Sequence, residues 1–517
     1  MQDALLALQS LMSLDLLALM VVGICIGMIP GILPGIGGAA TISLALPFTV
    51  HLSELQTLVL LLSLYTGVSF GGSITSILVG IPGGGSSVAV MFDGHRMAKA
   101  GMADHALGAS LGSVATGHII GALFLIFLIG PLATLALKFG PSEMLMVISL
   151  AILMIGTIRG RSAVKGILTG LFGIMVGTIG ISPHGDERGT MGTIYLLDGF
   201  PAVALLVAMF TIPGIVEMCM VPTVERKEHK GSSARALLAG MGAPLRYPLT
   251  AFTSSMIGLW IGILPAIGGS VGSLASYNLC RQFSPRGQSF ATGTGHEEGI
   301  VACETANGSD EGGSLATLLV LGLPGGSTTA AMMGALILQG WAVGPKLVFD
   351  HWEVIRTANW SVLFQALLLI PIGFVFCYYG WRIVRVKTTI LVPMVSAIMV
   401  TGVYSIRGEP LDVVVAVSFG ILAWLMQKTD FPPLNFVIGL LLGPILEGEL
   451  VRTVATFSGR WELLFQRPLF LILLVALTAT LVLTIRSERK RIVREREMLK
   501  VSGPGLGHSP SLSSQPN

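Results

Sequence analysis

Charged side chains punctuate this chain so that uncharged, mostly apolar stretches recur along it. Nine of these, 105–137, 144–158, 166–185, 199–216, 357–381, 388–406, 413–427, 431–446 and 468–485, suit one membrane crossing or nearly one. About 20 helical residues span the hydrocarbon, and a shorter run is completed by flanks that snorkel. Four runs are longer: 16–53 and 55–92, then 247–280 and 312–345. They fall as two consecutive pairs, one in each half. Run 247–280 is long for a single span at about 1.5 Å per residue, which predicts a hairpin or re-entrant element broken near Pro265. The pattern predicts an all-α polytopic membrane protein.

The long runs also carry an internal repeat. Gly27-Met-Ile-Pro-Gly31-Ile-Leu-Pro34-Gly35-Ile-Gly37-Gly38 aligns with Gly258-Leu-Trp-Ile-Gly262-Ile-Leu-Pro265-Ala266-Ile-Gly268-Gly269. Gly71-Gly72-Ser73 and Gly80-Ile-Pro82-Gly83-Gly84 align with Gly312-Gly313-Ser314 and Gly322-Leu-Pro324-Gly325-Gly326 in the same order. Loop charges indicate that the second copy is inverted, because Lys and Arg concentrate on the cytoplasmic side. Loop 159–165 holds Arg159, Arg161 and Lys165, whereas 130–142 holds Lys138 and 182–195 holds Arg188. In the second half the alternation flips: 380–388 holds Arg382, Arg385 and Lys387, and 405–410 holds Arg407. The expected organisation is a first transmembrane repeat over 1–221, a cytoplasmic linker over 222–246, a second repeat over 247–485, and a basic, then disordered cytoplasmic tail over 486–517. The N-terminus carries Asp3 and Asp15 and no basic stretch, so it is expected to be retained rather than cleaved as a signal peptide.

Composition agrees with the bilayer and excludes other classes. Charged residues make up 11% and apolar residues 52%, against about 25% charged in a typical soluble domain. A net charge of +3 gives no footprint for nucleic acid, and the five Cys and nine His show no metal-ligand or catalytic spacing. The 66 Gly and 26 Pro would break soluble helices but are commoner in membrane ones.

Inverted repeats with interrupted helices build secondary transporters, whose sites lie where the broken helices meet. Pro removes a backbone donor and Gly permits left-handed dihedrals, so the Pro-Gly segments should free backbone amides and carbonyls. Half-helix N-termini suit an anion. The expected substrate contacts are Pro34, Gly35, Gly37, Gly72, Ser73, Pro82, Gly83, Gly84 and Ser86 in the first half. In the second half they are Gly268, Gly269, Gly313, Ser314, Pro324, Gly325, Gly326 and Thr328. A methyl at Gly83 or Gly325 is expected to intrude where backbone meets ligand. An isolated Gly more often lets two helices approach, a role that fits Gly27 and Gly31.

Glu304, Asp310 and Glu311 flank Asn307 close to the second break. Buried carboxylates in a membrane serve as cation ligands or proton carriers; the alternative is that Asp310 and Glu311 sit in a solvated mouth. By register Asn307 matches Thr66 and Asp310 matches Ser69. Thr66, Ser69, Asn307 and Asp310 are therefore the expected cation-coupling residues, with Na⁺ or H⁺ as the ion and no cofactor. Asp93, His95, Arg96 and Lys99 read as a structural or gating loop.

These residues resemble the large membrane permease subunit of tripartite tricarboxylate transporters. The resemblance runs through Gly27-x3-Gly31-Ile-Leu-Pro34-Gly35-Ile-Gly37, Tyr65-Thr-Gly-Val-Ser-Phe-Gly71-Gly72-Ser73 through Pro82-Gly83, Asp93-Gly94, Leu197-Asp198-Gly199, Glu304-x2-Asn307 and Gly322-Leu-Pro324-Gly325. It implies about twelve transmembrane helices in a bacterial inner membrane, with a small four-helix membrane subunit and a periplasmic solute-binding protein as partners. It also implies uptake of di- or tricarboxylates by an ion gradient, commonly Na⁺, without ATP. The chain departs from the family at Asn307-Gly308-Ser309-Asp310-Glu311 and at Ala266, the mate of Gly35. A membrane-embedded enzyme acting on a carboxylate or lipid-linked substrate is the alternative class, and a passive anion channel a third; matched breaks in two halves favour transport.

Overall fold

The computed structural model describes residues 9–33, 36–158, 162–220, 233–265, 267–383 and 388–501. The expectations for Pro34, Gly35, Ala266, Arg159, Arg161, Arg385, Lys387, most of the linker and residues 502–517 lie outside the described residues. Among the described residues the protein is all-α apart from a small antiparallel hairpin, β1 Gly180–Ile181 with β2 Glu187–Arg188. Helices of twelve residues or more are α1 Leu14–Ile32, α2 Gly38–Thr49, α3 Glu54–Val79, α4 Ala103–Ala136, α5 Pro141–Ile158, α6 Ala163–Gly177, α7 Ala202–Met220, α8 Pro248–Ile263, α9 Gly268–Phe283, α10 Glu297–Leu321, α11 Ser327–Leu338, α12 Trp352–Ile383, α13 Thr388–Arg407, α14 Pro410–Lys428, α15 Pro433–Phe457 and α16 Pro468–Val501.

Nine of the described helices are long and apolar enough to cross a membrane: α1, α3, α4, α7, α12, α13, α14, α15 and the first part of α16. Each long uncharged run is interrupted. Run 16–53 becomes α1 and α2, and run 247–280 becomes α8, ending at Ile263, and α9, starting at Gly268, a break near Pro265 as expected. Run 166–185 is not all helix: α6 stops at Gly177, and Gly180, at φ +125°, turns the chain into the hairpin.

Local chemistry sets the helix starts. Ser53 and Gln56 form a reciprocal capping box ahead of α3, with Gln56 N–H donating to Ser53 Oγ and Ser53 N–H to Gln56 Oε1. Pro opens α8, α14 and α15, where its missing N–H costs nothing.

Small residues bring the central helices together, as membrane packing requires. Gly27 and Gly31 of α1 lie against the backbone of Leu64 and Gly71 on α3, and Gly258 and Gly262 of α8 lie against Ala306 and Asp310 on α10. Gly117 and Gly121 of α4 meet Thr305 and Ser309 of α10 in the same way. Helix α10 is not among the nine spans because its centre carries Glu304, Asp310 and Glu311, yet it is buried almost throughout its length.

Candidate functional site

Helices α3 and α10 end on the same backbone design. Gly80 and Gly322 adopt left-handed dihedrals at φ +75° and +71°, a conformation that suits Gly because it has no Cβ. Pro then follows, and two residues later Gly84 and Gly326 are fully extended and start a new helical turn. Gly84 N–H donates to Ser87 Oγ at 3.1 Å, and Gly326 N–H to Thr329 Oγ1 at 2.9 Å. The preceding breaks match too. Thr75 Oγ1 donates to the Ile32 carbonyl at the end of α1, and Thr317 Oγ1 donates to the Ile263 carbonyl at the end of α8. Each hydroxyl satisfies a carbonyl that the terminating helix leaves without a partner.

The four breaks enclose a cavity of about 370 Å³, within the range of about 300–1,000 Å³ typical of small-molecule sites. Elements of both halves meet on it. A Cβ on Gly38 would touch Thr328 Oγ1, and one on Gly85 would touch the Ser270 hydroxyl. Three helices present their N-terminal turns to the cavity: α2 through Gly37 to Ala40, α9 through Gly268 to Ser270, and α11 through Gly326 to Thr328. No side chain caps the start of α2 or α9, so their first-turn N–H groups and positive dipole ends are available to an anion. Among the described lining residues there is no Lys or Arg, and Asp310 is the one carboxylate, with Asn307 and Tyr65 beside it on the wall.

Of the residues expected at the substrate, Gly37, Gly72, Gly83, Gly84, Ser86, Gly268, Gly269, Gly326 and Thr328 line this cavity, as do Ser69, Asn307 and Asp310 of the cation set. Ser73, Pro82, Gly313, Ser314, Pro324, Gly325 and Thr66 are not among its lining residues. Several have other partners. Ser73 Oγ donates to Glu304 at 2.7 Å, Thr66 Oγ1 donates to Glu311 at 3.3 Å, and Gly313 packs on Leu259.

The geometry also changes the reason for two glycines. A Cβ on Gly83 would run into Gly72 Cα at 2.6 Å and the Gly31 carbonyl, and one on Gly325 into the Gly262 carbonyl and Ser314. Both are packing glycines of the break itself. At the cavity-lining Gly84 and Gly37, by contrast, nothing lies within 4 Å of where a Cβ would stand.

Glu304, Asp310 and Glu311 are 1%, 3% and 1% exposed; Asp310 lines the cavity, whereas Glu311 does not and is buried away from any solvated mouth. Glu311 lies 2.8 Å from Nδ1 of His118 on α4, and His118 Nε2 lies 3.1 Å from Ser69 Oγ. Asn307 Nδ2 donates to the Ser69 carbonyl at 3.2 Å. His118 escaped the sequence reading because an isolated His within the run 105–137 does not reveal its neighbours; its position inside an otherwise uncharged run was the available signal.

Asp93 has a structural role. Its carboxylate accepts Tyr277 Oη at 2.8 Å and the N–H groups of Ala291 and His296 at 2.8 and 2.9 Å, tying the first break to the second half. His95 Nδ1 sits 3.0 Å from the Ile77 carbonyl. Among the described residues, no group of three or more His, Cys, Asp or Glu is placed to hold a metal ion.

Residues 17–438 match the family described as "Tripartite tricarboxylate transporter TctA family". The "Uncharacterized 52.8 kDa protein in TAR-I ttuC' 3'region" of Agrobacterium vitis is 31% identical over 491 residues, covering 92% of this chain and 95% of that protein. A second protein, from the TAR-II ttuC' 3'region of the same organism, is 29% identical over 246 residues, 46% of this chain and 99% of its own length. No solved structure matches the chain.

Proposed function

The chain belongs to the tripartite tricarboxylate transporter TctA family, and from that premise we propose that it is the permease subunit of a secondary transporter importing di- or tricarboxylates. The observation that carries the reading is the convergence of three helix N-termini and one carboxylate, Asp310, on a single cavity. The N-termini supply N–H donors and positive dipole ends, and Ser86, Ser270, Ser327 and Thr328 supply hydroxyls, a donor set for substrate carboxylates.

Asp310 then makes binding conditional. Two like charges about 4 Å apart repel by about 4 kcal/mol at an effective dielectric of about 20. A polyanion therefore binds well only when Na⁺ or H⁺ neutralises Asp310, with Asn307 and Ser69 beside it. Joint binding of cation and anion is the elementary requirement of symport, and no ATP enters the scheme.

In this reading the halves, 1–221 and 247–485, are inverted repeats joined by a cytoplasmic linker, and one set of broken helices moves against the rest to expose the cavity alternately. A periplasmic solute-binding protein delivers the substrate, and a small four-helix membrane subunit completes the complex in the inner membrane. The test is uptake of radiolabelled citrate and succinate into proteoliposomes holding the three components, with Na⁺ or proton gradients imposed in turn. Accumulation under at least one gradient is expected; equilibration without accumulation under every gradient would replace the transporter by a channel.

A further inference from the structure

Behind the cavity wall lies a second ionisable unit that the substrate site does not use. Ser69 lines the cavity, its Oγ is 3.1 Å from His118 Nε2, and His118 Nδ1 is 2.8 Å from Glu311. Thr66 Oγ1 donates to both Glu311 oxygens at 3.3 and 3.4 Å. The series Ser69, His118, Glu311 thus runs from the cavity through a hydrogen-bonding contact to an imidazole and on, across an ion-pair distance, to a buried carboxylate. We propose that His118 and Glu311 form a proton-carrying pair, loaded from the cavity through the Ser69 hydroxyl, which couples carboxylate uptake to proton entry. This rests on the permease reading above.

The transfer balances. Ser69 accepts a proton from the cavity and passes its own to His118 Nε2, and the Nδ1 proton is shared with or passed to Glu311. With that proton the pair is neutral overall, and without it the pair carries a single negative charge. An anion in the cavity favours the loaded pair, and the loaded pair favours the anion by the same factor, as linkage requires.

The titratable groups on the elements around the pair are Glu54 and Tyr65 on α3 and Glu297, Glu298, Cys303, Glu304 and Asp310 on α10 itself, with Asp93 and His95 on Met91–His95, Arg96 and Lys99 on Arg96–Lys99, Arg235 on Ala234–Met241 and Arg246 on Ala243–Arg246; α8 and α11, which pack on α10, carry none. Helix α4 adds Asp104 and His105 near its start, and α9 carries Tyr277, Cys280 and Arg281. The short helix Leu347–Asp350 beside α10 and α4 ends in Asp350. Helix α12, packed on α4, carries Glu353 and Arg356 near its start and Cys377, Tyr378, Tyr379 and Arg382 toward its end.

The test measures lumenal pH and [¹⁴C]citrate together in proteoliposomes of the complete complex, with equal NaCl on both sides. Lumenal acidification should accompany citrate entry. Glu311→Gln should carry one proton fewer per citrate, and the pH dependence of its citrate affinity, about tenfold in the wild type, should be lost. A purely structural pair would lower the melting temperature of the variant and leave the proton count intact, and that result overturns the proposal. His118→Gln decides by the same count if Glu311→Gln fails to reach the membrane. Citrate accumulation by the wild type without proton entry also overturns the proposal while the permease reading stands. Failure to accumulate citrate or succinate under any gradient removes the permease reading itself and this inference with it.

Discussion

Around the cavity, α3 and α10 are two versions of one element. Both end at a left-handed Gly followed by Pro-Gly-Gly, and both have a Thr hydroxyl closing the carbonyl end of the neighbouring broken helix. Their polar faces differ. Helix α3 offers hydroxyls at Thr66, Ser69 and Ser73, while α10 offers Glu304, Asn307, Asp310 and Glu311, and the two sets bond to each other across the helices. The duplicated backbone builds the cavity, and the unequal side chains place one carboxyl group, Asp310, on its wall.

The first and largest expected effect breaks that inequality. Asp310→Asn removes the wall charge opposite the hydroxyls, and cation-stimulated citrate uptake should fall about 100-fold. Unchanged stimulation in a cation titration would detach Asp310 from coupling.

Next come the matched packing glycines. Gly83→Ala and Gly325→Ala each force a methyl against helix backbone, an overpacking that typically costs about 1–3 kcal/mol. Both variants should melt at lower temperature in detergent, and by similar amounts if the two breaks are equivalent. A smaller matched effect is expected at the hydroxyls. Thr75→Val and Thr317→Val leave the Ile32 and Ile263 carbonyls unpaired, at about 1–3 kcal/mol each; a large effect from only one would show that the breaks carry unequal load. The smallest lies outside both elements. Arg188, half-exposed on the hairpin and paired with Glu447 at 2.7 Å, should cost under about 1 kcal/mol when changed to Ala, read in the same melting assay.

Much of this was legible in the sequence because the bilayer penalises charge. The gaps between charged residues locate the spans, and Pro265, Pro82 and Pro324 mark where long runs break. Helix α10 was harder. Its three acids lower its hydropathy below that of a span, and their partners Ser73, Thr66 and His118 stand far away in sequence, so their burial is a tertiary fact. The matched Gly-Gly-Ser and Gly-x-Pro-Gly-Gly segments, and the register of Asn307 on Thr66 and Asp310 on Ser69 that goes with them, were the local clues that α10 runs as α3 does. Gly83 and Gly84 were indistinguishable for a similar reason: one faces helix backbone and its neighbour faces the cavity, a difference of side-chain direction that composition does not carry.

That difference supplies the most direct test of the cavity as the substrate site. Gly84 is extended at φ −161°, a conformation open to any residue, and nothing lies within 4 Å of where its Cβ would stand. Gly84→Leu should therefore fill the cavity without disturbing the packing of α3. Citrate or succinate accumulation by the assembled complex should be lost at wild-type membrane levels and with an unchanged melting temperature. Accumulation at the wild-type rate would place the substrate path elsewhere and contradict the account.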